Sequence, residues 1–128
     1  LRASIRLHKT AVAFLVNGNP RRSFFSALLS VLVARDSAII AREGVEEAVS
    51  SILEGVDAKI EEVRDLLDQL EGEGVDVTVA RRILNLAERL NGKAESLVAE
   101  GRIVPGVVLA EMGRILAWLS QVIASRGI

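Results

Sequence analysis

Glu54, Glu61, Glu62, Asp65 and Asp68 are the residues whose type and spacing could do chemistry. They include pairs three or four residues apart, which puts carboxylates on neighbouring turns of one helix. Such pairs could hold a divalent cation between two helices. A carboxylate-bridged metal bundle would also need a Glu-x-x-His motif from each of two helices. His8 is the only histidine, it stands beside Lys9, and no Glu precedes it at that spacing. No EF-hand loop is present either, so no metal ligand set is assigned. The same carboxylates suit a solvated helix face, or a docking surface for a basic partner.

Other chemistry is excluded more directly. The chain has no cysteine, hence no disulfide, no thiol nucleophile and no thiolate metal site. No nucleophile elbow, phosphate-binding Walker loop or dinucleotide glycine fingerprint occurs. Gly72-Glu73-Gly74 lacks both a preceding strand and a third glycine. The acidic residues are expected on the polar face, away from the apolar setting that would raise a carboxylate pKa for acid–base work. The reading is a non-enzyme with no catalytic residue and no cofactor.

Arg114 and Trp118 stand four residues apart, spaced to stack as a cation–π pair worth about 0.5–1 kcal/mol at an exposed site. Trp118 reads either as a core-edge side chain or as a contact anchor, since interface hot spots favour Trp and Arg.

A run of helices must position these residues. Gly44 to Glu71 places Val45, Val49, Ile52, Val56, Ile60, Val63, Leu67 and Leu70 at steps of three or four, one apolar stripe. Its other face is carboxylate. Glu43 to Asp76 holds twelve Asp and Glu against Lys59 and Arg64, a net −10, while residues 1–42 carry +6 and 77–128 carry +3. This basic–acidic–basic order suits helices that match charge side by side, or an acidic face that docks a basic partner or another copy. Arg21–Arg22 and Arg81–Arg82 each open a predicted helix. Near-zero net charge and the absence of Tyr weaken a nucleic-acid reading.

Before the acidic helix, residues 1–17 read as a short helix closed at Asn17-Gly18-Asn19-Pro20. Residues 21–42 read as a second helix, apolar nearly all round and therefore central in the core. Its charge-free run, Ser23 to Ala34, is twelve residues, short of the roughly 20 a membrane span needs. A break near Arg42–Gly44 is favoured over one continuous helix. Residues 13–28, AFLVNGNPRRSFFSAL, resemble the helical hairpin of ESCRT-III-type filament proteins. The first helix is only mildly basic and the second too apolar for an exposed hairpin, so no family is assigned.

Beyond the Glu71–Gly74 loop, Asp76 or Thr78 is placed to cap a helix reaching about Glu100, with Val79, Ile83, Leu86, Leu90, Ala94, Leu97 and Val98 in phase. Gly101 and Pro105 mark the last turn. Residues 105–125 carry a stripe of Val108, Met112, Ile115, Leu119 and Val122, widened by Leu116 and Ile123. No internal repeat of fixed period stands out.

The expected architecture is all-α: a single domain over 1–128, an antiparallel bundle of about five helices with short connections. Truncating Ile60 or Leu86 to Ala should cost roughly 2–5 kcal/mol if both are in the core. The chain starts at Leu1 rather than Met and reads as trimmed at its N-terminus, with no cleavage pattern after the apolar run at 11–16. Function is expected to lie in protein–protein contact or self-association in the cytoplasm, with no membrane span. Partner-binding candidates are Glu54, Glu61, Glu62, Asp65, Asp68, Arg114 and Trp118. The alternative is an assembly subunit that meets nucleic acid or an anionic membrane through the basic terminal segments.

Overall fold

A computed structural model describes residues 5–7 and 20–126, and all regular structure in them is α-helical. Among the described residues from 20 onward there are four helices: α1 (Pro20–Glu43), α2 (Val45–Gly72), α3 (Thr78–Ala99) and α4 (Ile103–Arg126). The all-α expectation holds. The chain divides into two compact units, Leu1–Ser50 and Ser51–Ile128. The predicted first helix lies largely outside the described residues, as does the Asn17–Asn19 corner.

Chain punctuation sets the helix ends. Pro20 opens α1, where its missing N–H has no intrahelical partner to lose. Gly44 separates α1 from α2 with φ +91°, a left-handed conformation that side chains with a Cβ rarely adopt. The break is therefore real, and one helix does not run through it. Gly74 and Gly101 take the same conformation in the two later turns. Asp76 accepts the Thr78 N–H at 3.0 Å and the Thr78 hydroxyl at 2.6 Å, just ahead of α3. Those two donors, the hydroxyl foremost, hold the Asp76 pKa below its ordinary value.

In the first unit Leu29 and Val33 are buried, together with Ser26, Ser30 and Asp36. Phe24 and Val31 are 63 % and 65 % exposed, so α1 is not buried all round as expected. Its polar residues divide the circumference and leave some of its large apolar residues outside. Phe24–Arg42 and Ile103–Arg126 are long and apolar enough to cross a membrane by length and composition.

The core of the second unit begins with the stripe read from the sequence. Ile52, Val56, Ile60, Val63 and Leu67 of α2 are all buried. Leu70 is half-buried against them, and Val45, at the other end of α2, is 49 % exposed. On α3 the buried residues are Ala80, Leu84, Ala87, Asn91 and Ala94. On α4 they include Gly106, Ala110, Gly113, Ala117, Ser120 and Ala124. Ala94 and Ile115 are the only members of the two expected stripes that are fully buried. Val79, Leu86 and Leu119 are exposed, which corrects their expected place in the core.

The physical reason is the closeness of α3 to α4. A Cβ on Gly113 would lie 3.1 Å from the Ala87 carbonyl oxygen. One on Gly106 would lie 2.7 Å from Val98 Cγ2 and 3.2 Å from the Ala94 carbonyl oxygen. The Ser120 hydroxyl donates to the Ala80 carbonyl at 2.7 Å. Small side chains let two backbones approach, and dispersion contacts accumulate along the seam. Larger residues then flank it: Leu109, Leu116 and Ile123 pack half-buried at the margin.

A hydrogen bond and ion pairs fix the register of α2 and α3. Asp57 meets Asn91, Arg64 meets Glu88, and Asp68 and Glu71 meet Arg81. Numbers climb along one helix as they fall along the other. Lys59 reaches Gln121 of α4 at 2.6 Å.

Candidate groove between α2 and α3

A groove of about 430 Å³ opens between α2 and α3. Asp57, Ile60, Glu61 and Arg64 form one wall because they lie at helical spacing along α2. Glu88, Asn91, Gly92 and Glu95 form the other in the same way. Four carboxylates face one guanidinium. Arg64 bridges Glu61 on its own helix and Glu88 across the groove. That leaves Asp57 and Glu95 at the other end.

Asn91 joins the two walls. It is 4 % exposed, and its amide nitrogen donates to Asp57 Oδ1. Its amide oxygen is buried and has no hydrogen-bond partner among the described residues. A buried acceptor left unmade carries a desolvation cost of about 1–3 kcal/mol. Glu95 lines the groove together with Asp57. Desolvation at the groove wall and then the neighbouring Asp57 carboxylate raise the Glu95 pKa above its ordinary value. Gly92 adds open space, since a Cβ built there meets nothing within 4 Å.

The candidates read from the sequence are spread over several places. Glu61 lines the groove and is held by Arg64. Asp68 pairs with Arg81 at 2.6 Å, and Glu62 with Lys59 at 3.5 Å. Glu54 and Asp65 are exposed on α2 and make no ion pair among the described residues. Arg114 turns inward on α4: its Nε donates to the fully buried Glu111 at 3.2 Å. Its Nη2 lies 3.2 Å from where a Gly55 Cβ would stand. Trp118 is 43 % exposed.

Asp57, Asn91 and Glu95 escaped the sequence reading. Asn91 falls in an apolar phase between Ala87 and Ala94, and Gly92 interrupts a helix that gains nothing from it. Those two neighbours are the signal that was available. Among the described residues no three carboxylate or histidine side chains converge to hold a metal ion. No protein-family model, curated protein or solved structure matches the chain.

Proposed function

We propose that this chain is an antiparallel helical bundle with short connections that acts through protein–protein contact, chiefly by self-association, and is not an enzyme. The acidic face of α2, with Glu54, Glu61, Glu62, Asp65 and Asp68 all exposed, is its candidate docking surface. The observation that carries the reading is the packing of α4. Its small residues face α3, while Val104, Trp118 and Leu119 stay exposed at 60 %, 43 % and 37 %. Large apolar side chains left on a surface favour association. Multi-angle light scattering after gel filtration tests this. A concentration-dependent rise in mass, lost in Trp118→Ser, is expected. A strict monomer at high concentration with no pull-down partner would refute it.

A second reading has its own support. Arg82, Arg89 and Lys93 are exposed on α3, spaced seven and four residues apart on one face beside the exposed Leu86. Such a basic face suits an anionic polymer or a membrane surface. Binding to DNA or to anionic liposomes that weakens steeply with salt would favour it. Its absence at low salt would remove it.

A further inference from the structure

The outward face of α3 repeats, position for position, the spacing of a pattern on the outward face of α2. On α3, Arg82, Leu86, Arg89 and Lys93 are exposed, at steps of four, three and four residues. On α2, Glu54, Ala58, Glu61 and Asp65 are exposed at the same steps. Such spacing keeps each set on one side of its helix. Both sets lie within the second unit. Each is a ridge of three like charges with an apolar residue in second place, and the two ridges have opposite sign.

The fold leaves both ridges largely unmatched. Arg82, Arg89 and Lys93 make no ion pair among the described residues, and neither do Glu54 and Asp65. Glu61 is shared with Arg64, yet its side chain is still 64 % exposed. Two α3 carboxylates that could answer the basic ridge turn toward α2 instead. Glu88 pairs with Arg64, and Glu95 lines the groove between the helices. Leu86 stands uncovered beside the arginines. A face of this kind fits a surface that offers carboxylates around a small side chain, and α2 of another copy is such a surface.

We propose that the α2 ridge of one copy docks along the α3 ridge of a second copy, with the two helices parallel. Laid side by side in that sense, Glu54 meets Arg82, Ala58 meets Leu86, Glu61 meets Arg89 and Asp65 meets Lys93. Successive charges on each ridge are about 10.5 Å and about 6 Å apart along the axis, so all three pairs form on straight helices. An antiparallel approach would set Glu61 against Leu86 and Arg89 against Ala58, matching two charges of three. Within one copy, residue numbers fall along α3 as they climb along α2. A two-fold dimer that used both ridges at once would therefore have to pair them antiparallel. The parallel match is heterologous: the end copies keep one free ridge each, and association continues past the dimer. The inference rests on the self-association reading and names the surface through which copies meet.

Sedimentation velocity on the full chain, at rising concentration in about 0.1 M and about 1 M salt, tests it. Species larger than a dimer are expected at the lower salt. They should recede at the higher, where the screening length has fallen from about 10 Å to about 3 Å. Asp65→Lys and Lys93→Asp should each weaken association about tenfold or more, because each sets like charges opposite one another. Combined in one chain they should restore it, which a damaged fold would not allow. Restoration by Asp65→Lys with Arg82→Asp instead would overturn the parallel match. A mass that stops at the dimer, ignores salt or is unchanged in both single variants would overturn the ridge pairing. So would a Lys93→Asp variant that loses only binding to DNA or anionic liposomes, since the basic ridge would then belong to an anionic polymer. Association lost in Trp118→Ser but kept in Asp65→Lys would preserve the contact reading and remove this interface. The reverse pattern would keep the interface and remove the apolar contact through α4. A strict monomer refutes both.

Discussion

Two helical glycines, Gly92 within α3 and Gly106 in the first turn of α4, should respond to Ala with opposite signs. Gly92→Ala adds a methyl where nothing lies within 4 Å, so the helix-propensity gain of about 1 kcal/mol is kept. Gly106→Ala adds one 2.7 Å from Val98 Cγ2, 3.2 Å from the Ala94 carbonyl oxygen and 3.3 Å from the Val98 nitrogen. Two of those three atoms are backbone, so α3 and α4 must move apart. Overpacking of this kind costs about 1–3 kcal/mol. The propensity gain is smaller for Gly106 in the first turn, so the stability difference between the two variants is at least the overpacking cost, about 1–3 kcal/mol. For a chain of 128 residues each kcal/mol moves the melting temperature by about 3–5 °C. Thermal and urea unfolding followed by far-ultraviolet circular dichroism would read it. Equal rises in both variants would refute the close approach of α3 to α4 and the account of the core built on it.

Leu84→Ala should cost about 2–5 kcal/mol, because Leu84 is 2 % exposed, whereas Leu86→Ala at 43 % exposure should cost under about 1.5 kcal/mol in urea titrations. Similar losses would return Leu86 to the core. Ser120→Ala should cost about 1 kcal/mol by removing its bond to the Ala80 carbonyl, and an unchanged urea midpoint would mean that bond adds nothing. The Glu95 pKa is raised in the folded state, so the folded chain keeps that proton at pH values where the unfolded chain has lost it. Its contribution is greatest below the ordinary carboxylate pKa and is lost as pH rises through the raised value. Glu95→Gln should therefore raise the melting temperature at neutral pH, with the gain shrinking in acid. A gain independent of pH would point elsewhere.

The α2 face was legible because its inner residues are large and aliphatic and its outer residues charged. Five of its stripe residues, Ile52, Val56, Ile60, Val63 and Leu67, are buried in the second unit. The breaks at Gly44, Gly74 and Gly101 were legible for the same kind of reason, since each takes a backbone conformation that glycine permits. The inner faces of α3 and α4 were not. A reading that ranks residues by apolar size selects Leu86 and Leu119, while close helix contact selects the smallest side chains. The signal was in the spacing. Ala80, Ala87 and Ala94 recur every seven residues, as do Gly106, Gly113 and Ser120, and again Ala110, Ala117 and Ala124. The groove was illegible for another reason: Asp57 and Glu95 lie 38 residues apart, and only the α2–α3 register places them in one groove.

Glu111 and Arg114 sit near the midpoint of α4, one turn apart, the carboxylate fully buried and the guanidinium laid beside Gly55. In hydrocarbon, each ionised group at a helix centre costs roughly 2.5–3.5 kcal/mol on insertion scales. An ion pair at this position adds a cost to burial in lipid that the average hydropathy of Ile103–Arg126 does not register.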